Sequence, residues 1–383
     1  MPMTNKLAGR KSTTHSRQHK PPLYAAVDLG TNNCRLLVAK RAGDGFRVVD
    51  SHSQIVRLGE GLSATGRLSD LSMERAFSAL LTIRKKLKQL GVRHVRCIAT
   101  EACRKAENGS DFIREVQHRT KLSFKIVSAK EEAKLAVIGC HDLIEADARF
   151  VMVLDIGGGS TEVAFIDLSA HPERDIKTLV NTLPITAWHS FPLGVVTLTE
   201  AFAQEAEDNR FKAMHLHAME TFGAWKNGLA FAPQLVSDSA YMIGTSGTVT
   251  CLAGIRLGLK KYRRDKVDGH WLTQAQAQET ITEFAASSLQ ERARIPTVGE
   301  DRAELMLAGC AILEATFALW PCSRLRVADR GLREGLLLSM MHGRRKSRRR
   351  RSNRGRTTRS AAPNGLPRSN STHAPSNGAP HDG

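Results

Sequence analysis

The chain has 383 residues, 41% of them hydrophobic, which is room for two or three domains with cores of their own. Its formal charge of +18 sits mostly at the ends: residues 1–20 carry +5 and residues 343–383 carry +10, leaving about +3 for the span between. The folded part is therefore nearly balanced and is not itself a basic nucleic-acid module. The longest apolar run, residues 305–320, carries Glu314 and is too short to cross a bilayer, so no membrane partner is expected.

Residues 1–21 are basic, and no apolar stretch of the kind a secretory signal needs follows them; a disordered segment is expected there. From residue 22 the chain reads as strands at 23–30, 34–42 and 46–58, with alternating or continuous apolar residues. Met73, Ala76, Phe77, Leu80, Leu81, Leu87 and Leu90 then recur at helical spacing, and Gly91 stops that helix. Short strands follow at 95–100 and 124–128, with a helix near 111–119 between them and another from Lys130 to Ile144. The second half repeats this order. Strands are expected at 150–157 and 161–168, a third near 176–183, helices across 197–227, a strand at 240–247 and a buried helix over 305–320.

Two units of this kind imply duplicated α/β domains facing across a cleft, the first over 22–140 and the second over 141–342. The sequence beyond them, 343–383, is arginine-rich, of low complexity and almost without apolar residues, so it is expected to be disordered. Such a tail attracts polyanions without specificity. Seven scattered cysteines with no CxxC or zinc spacing point to reduced thiols and a cytoplasmic setting.

Each unit opens on the same turn. Asp28-Leu29-Gly30-Thr31 and Asp155-Ile156-Gly157-Gly158 both end an apolar strand and precede another. Glycine lets backbone N–H groups approach an anion, while Thr31, Ser160 and Thr161 add hydroxyl donors. An aspartate at the strand end is suited to a divalent cation beside a phosphate. A third glycine–hydroxyl turn, in residues 243–254, precedes a helix whose N-terminus favours anions. No GxxxxGK[ST] is present, and no GxGxxG runs from a strand into a helix; a P-loop NTPase or a Rossmann dehydrogenase is disfavoured.

In order along residues 23–340, "AAVDLGTNNCRLLV", "ATEACRKAENGSDF", "VSAKEEAKLA", "VLDIGGGSTEV", "FPLGVVTLTE", "GTSGT" and "ADRGLREGLLL" together resemble the bacterial exopolyphosphatase/guanosine-pentaphosphate phosphohydrolase (Ppx/GppA) family. The resemblance implies two ribonuclease-H-like domains of the actin/sugar-kinase/Hsp70 ATPase-like class around a cleft. It implies hydrolysis of a terminal phosphoanhydride of polyphosphate or of the 5′ γ-phosphate of guanosine pentaphosphate (pppGpp), with Mg2+ or another divalent cation. Glu132 would be the catalytic base, and Asp155 and Glu162 would hold the metal. Thr31, Asn32, Arg104, Gly158, Gly159, Ser160 and Thr161 would contact phosphate. A homodimer is a further expectation of the resemblance. The first turn reads Thr31-Asn32-Asn33-Cys34 where the family more often has Ser-Asn-Ser before an apolar residue, and Ala328 stands where serine is common. Long members carry a further C-terminal helical region resembling HD phosphohydrolases. Here the folded part is expected to stop near Met341, as in a short form. Two readings compete with the hydrolase. A sugar or acetate kinase would share the Asp-Gly turns but would need an acceptor-activating Asp and would not need the Glu-Glu-Ala segment. A non-catalytic regulator binding (p)ppGpp or another polyanion would have no need to keep Glu132, Asp155 and Glu162.

Overall fold

The computed structural model describes residues 21–170 and 175–343. The segment expected to be disordered over 1–21 and the arginine-rich tail over 343–383 lie outside them, apart from one residue each. Among the described residues no helix is long and apolar enough to cross a membrane.

Five strands form the first sheet: β1 (Leu23–Leu29), β2 (Asn33–Ala42), β3 (Gly45–Ile55), β4 (His94–Ala99) and β5 (Phe124–Ile126), in the order β3-β2-β1-β4-β5. Six form the second: β6 (Phe150–Ile156), β7 (Thr161–Asp167), β8 (Ile185–Phe191), β9 (Ala240–Thr245), β10 (Trp271–Thr273) and β11 (Arg324–Ala328), in the order β10-β11-β9-β6-β7-β8. In each, an antiparallel meander is followed by a strand parallel to the first one. Strands β6, β7, β8, β9 and β11 thus repeat the places of β1 to β5, and β10 is an addition at one edge. The duplication expected from the two turns is present in the strand order.

The central strands β1 and β6 are buried along nearly all their length, as strands covered on both faces must be. One face of the first sheet packs under the Asp70–Gln89 and Gly109–Thr120 helices through Phe77, Leu80, Ile83, Phe112 and Val116. Ser69 caps the longer of these, accepting from the Ser72 N–H at 3.2 Å. The second sheet is covered by the Ala303–Leu319 helix, the buried helix read from residues 305–320.

The strand expected near 176–183 is instead a helix, Ile176–Asn181, and the third strand of the second sheet is β8. Asp175 decides this. Its Oδ1 accepts from the N–H groups of Lys177 and Thr178 at 2.9 and 3.1 Å, capping a helix that the apolar alternation alone hides. The helix expected over 130–144 ends earlier, as Ala129–Gly139 followed by a short 3-10 turn, and the 197–227 region divides into Val195–Ala201 and Glu207–Gly223, with two further short helices up to β9.

Two helices join the halves. The Ala129–Gly139 helix gives Leu135 to a cluster on the first sheet and Val137 to one on the second. The Leu332–His342 helix, which follows the last strand of the second sheet, returns to the first and places Leu336 and Leu337 against Ala26, Leu37 and Ile98. They cross in close contact because both carry glycine there: a Cβ on Gly139 would stand 1.9 Å from the Gly331 carbonyl oxygen, and one on Gly335 1.9 Å from that of Leu135.

Candidate active site

The first turn, between β1 and β2, is held by its carbonyls. Gly30 N–H donates to Asn33 O at 2.9 Å, Gly59 N–H to Thr31 O at 2.9 Å, and both Val56 and Arg57 N–H to Asn32 O. The Thr31 and Asn32 side chains are buried, and the Asn32 Oδ1 has no partner. In the second turn, Gly157 N–H donates to Ser160 O at 2.9 Å, and the Gly157 and Gly158 carbonyls accept from Val195 and Val196 at 3.0 and 2.8 Å.

The two turns touch. A Cβ on Gly158 would lie 3.0 Å from Thr31 Cβ and 3.3 Å from Asn32 N; one on Gly159 would lie 2.9 Å from Thr31 Oγ1. Gly194 approaches the second turn from behind, where a Cβ would meet the Gly158 carbonyl carbon and oxygen at 2.4 Å. These glycines are needed for proximity, so that two backbones can share one small volume.

A cavity of about 700 Å³ opens at this junction. Thr31, Asn32, Glu132, Asp155, Gly158, Gly159 and Ser160 all line it, which brings most of the residues proposed from the sequence to one place. Three others stand behind the wall. Thr161 is fully buried and its hydroxyl donates to Leu193 O at 2.5 Å, leaving Ser160 as the hydroxyl of this turn on the cavity. Glu162 is buried and accepts from the Ser190 hydroxyl at 2.7 Å. Arg104 donates through Nη1 to Glu132 Oε2 at 3.0 Å and to Val127 O at 2.8 Å, and through Nη2 to Glu101.

Strand register accounts for the charge distribution. Across β1 and β2, Asp28 faces Arg35; across β6 and β7, at the same spacing, Asp155 faces Glu162. The first half therefore pairs acid with base, and the second pairs acid with acid. Burial raises the Asp28 carboxyl, with Arg35 and Arg333 opposing. Burial pushes Asp155 up to about 6, with Arg35 opposing and Asp28 adding to it. Glu162 is raised by burial and then by Asp155, while Glu132 is raised well above the usual range by burial and then by Glu162, against the pull of Arg104.

Among the residues of the site that sequence reasoning did not single out, Arg35 and Ser246 bear directly on Asp28 and Asp155. Arg35 faces Asp28 from β2 and lines the cavity; the equal spacing of Asp28 to Arg35 and Asp155 to Glu162 was the available signal. Ser246, in the third turn, adopts φ 85, a backbone region that costs a non-glycine residue on the order of 1–3 kcal/mol. There its hydroxyl meets Asp155, just before the Gly247–Arg256 helix.

Among the described residues no group of three or more His, Cys, Asp and Glu side chains could hold a metal ion by itself. Mg2+ does not require one, since it binds through one or two carboxylates and completes its shell with water and phosphate. Asp155 and the unpartnered Asp28 Oδ1 on the cavity wall, with Glu162 behind it opposite Asp155 on the next strand, are hard oxygen donors that fit such an ion.

The burial of Asp155 has a consequence for stability. A carboxyl whose folded-state pKa exceeds its unfolded one binds more protons when folded, so it contributes stability at low pH that is lost as pH rises through the folded value. For Asp155 that loss runs from 3.8 to about 6. Without divalent cations, Asp155→Asn is therefore expected to gain in unfolding midpoint over the unsubstituted protein as pH rises from about 4 to about 6, and to keep that gain above it. Thermal unfolding of both proteins across that range checks it, and a difference that stays flat would remove the argument.

Residues 37–344 match the Ppx/GppA phosphatase family. The protein named guanosine-5'-triphosphate,3'-diphosphate pyrophosphatase in Aeromonas salmonicida is 29% identical over 326 residues, covering 84% of this chain and 60% of that protein. The protein of the same name in Aeromonas hydrophila is 28% identical over 325 residues with the same coverage. The chain thus spans about 60% of the length of these curated relatives. Among solved structures, the Aquifex aeolicus Ppx/GppA family member superposes with a TM-score of 0.66 at 26% identity, over 84% of this chain and 97% of that one. An exopolyphosphatase from Cytophaga hutchinsonii shares the fold, with a TM-score of 0.72 at 23% identity over 84% and 98%. The architecture is the duplicated actin-like α/β fold, and the chain belongs to the Ppx/GppA phosphatase family.

Proposed function

We propose that the chain hydrolyses a terminal phosphoanhydride, releasing orthophosphate from inorganic polyphosphate or from the 5′ position of pppGpp. The observation that best supports this is the contact between the two glycine turns, with Gly158 and Gly159 against Thr31 and Asn32, at the wall of a cavity that Glu132 also lines. The name of the Aeromonas relatives motivates pppGpp as one substrate, and the shared reacting group keeps polyphosphate as the other.

In this reading Thr31, Asn32, Ser160 and the backbone of Gly158 and Gly159 receive the terminal phosphate. Water attacks its phosphorus, the bridging P–O bond breaks, and Glu132 accepts the proton of the water. The raised proton affinity of Glu132 suits a base, and Arg104 holds its carboxylate through Oε2. Asp155 and Glu162 would hold a divalent cation such as Mg2+. That ion, when bound, would supply neutralising charge for the phosphate oxygens.

The test is orthophosphate release by the purified protein on long-chain polyphosphate and on pppGpp in parallel, with and without Mg2+. Release from either substrate is expected, and it should stop on chelation. Tight binding of both with no release would leave the non-catalytic polyanion-binding regulator as the better account.

A further inference from the structure

The hydrolytic reading uses Glu132 and Arg104 but leaves a third charged residue without a role. Glu101 opens the short Glu101–Lys105 helix after β4, and it is only 8% exposed. Burying a carboxylate is costly unless it is paired, and Glu101 is paired twice. One oxygen takes Arg104 Nη2, and the other takes Lys105 Nζ at 3.1 Å. Its stem presses on the second turn as well, since a Cβ on Gly159 would lie 3.1 Å from Glu101 Cγ. The residue lines both the main cavity and a neighbouring one of about 310 Å³, and so forms part of the wall between them.

Arg104 is thereby divided between two acids. Its Nη2 goes to Glu101, while Nη1 serves Glu132 Oε2 and the Val127 carbonyl. A guanidinium released to one carboxylate alone prefers to engage both of its oxygens in a fork. Here that fork is split, and Arg104 reaches Glu132 through one nitrogen and one oxygen.

We propose that Glu101 is a positioning residue for the hydrolytic step: by holding half of the Arg104 guanidinium, it keeps Glu132 oriented by a single hydrogen bond, with its second oxygen left for the attacking water. This rests on the hydrolase reading above. In this proposal Glu101 acts through Arg104 and not on the water or the phosphate. Without its charge, Arg104 closes on Glu132, which becomes both a weaker base and a less available one.

The test is Glu101→Gln, which keeps size and removes charge, assayed for orthophosphate release with Mg2+. The expected result is a fall in kcat on the order of tenfold, with KM within about threefold, because the loss is in the chemical step and not in binding. The unfolding midpoint should fall by less than about 5 °C, because Arg104 keeps Glu132 and the Val127 carbonyl as partners and the glutamine can still accept from Arg104 and Lys105. In an Arg104→Ala background the same substitution should change kcat by less than about twofold, because the residue acts through Arg104.

An unchanged kcat, an additive loss in the Arg104→Ala background, or a variant that unfolds would each overturn the proposal; the last would mark Glu101 as a structural residue. If the unsubstituted protein releases no phosphate from either substrate, the hydrolase reading falls and this proposal with it. An active parent with an unaffected Glu101→Gln removes this proposal alone.

Discussion

Replacing Glu132 by glutamine is expected to lower the rate of orthophosphate release by roughly 10²- to 10⁴-fold, the usual contribution of a positioned general base. Glutamine keeps the shape and an acceptor for Arg104 but cannot take a proton from water. Binding should be little altered, because the turns that would receive phosphate belong to Thr31, Asn32 and Gly158 to Ser160. The fold should not suffer either. Glu132 is 8% exposed and its carboxyl is raised by burial and by Glu162, so removing its charge relieves a repulsion. Steady-state kinetics, with thermal unfolding of the same preparations, checks both halves. A variant that keeps more than about a tenth of the rate would leave another residue as the base.

A second large effect is expected where the two helices that join the halves meet, beside the cavity wall. Gly139→Ala would set a methyl group 1.9 Å from the Gly331 carbonyl oxygen, and that atom is backbone, with no rotamer to move aside. Overpacking of this kind costs about 1–3 kcal/mol, and here the upper end is expected. Alanine's better helix propensity offsets at most about 1 kcal/mol, and less at position 139, the last residue of its helix. The clash wins. The helix it displaces also carries Glu132, so activity should fall together with the unfolding midpoint. Gly223→Ala provides the control: Gly223 ends the Glu207–Gly223 helix, and a Cβ there meets nothing within 4 Å. That variant should match or slightly exceed the parent in stability.

The two Asp-Gly turns were legible because the chemistry that makes them useful is local: an apolar strand, an aspartate, glycine and hydroxyls in succession. Their meeting was not. It depends on Gly158 lying against Thr31 across more than a hundred residues of chain, and no local pattern encodes that distance. Arg35 was hidden for a milder reason. In a strand read only for burial it looks like an interruption, and its pairing with Asp28 becomes visible once the turn fixes the register. The region 176–183 was misread because Ile176, Leu179 and Val180 suit a strand or a helix equally, and the deciding contact comes from the Asp175 side chain. Ser246 shows what a sequence cannot carry, since a φ of 85 at a serine is imposed by its surroundings. Arg104 was singled out by its motif for phosphate, and the fold shows it engaged by two carboxylates and a carbonyl.

The return of the Leu332–His342 helix to the first sheet bears on how the protein is made. A chain leaving the ribosome has emitted all of β1 to β5 and the Glu132 helix long before residue 332 appears. Until then Leu37, Ile98 and Leu135 lack Leu336 and Leu337 as neighbours, so that face of the first half is open to other apolar surfaces. The first half would thus wait through most of synthesis for its last neighbour. Contacts such as those of Ala26 with Leu336 and Leu337, about 310 residues apart, also raise the contact order, which slows folding. Cells making this protein would therefore hold a partly finished, sticky intermediate for as long as the second half takes to translate, the kind of species that chaperones bind.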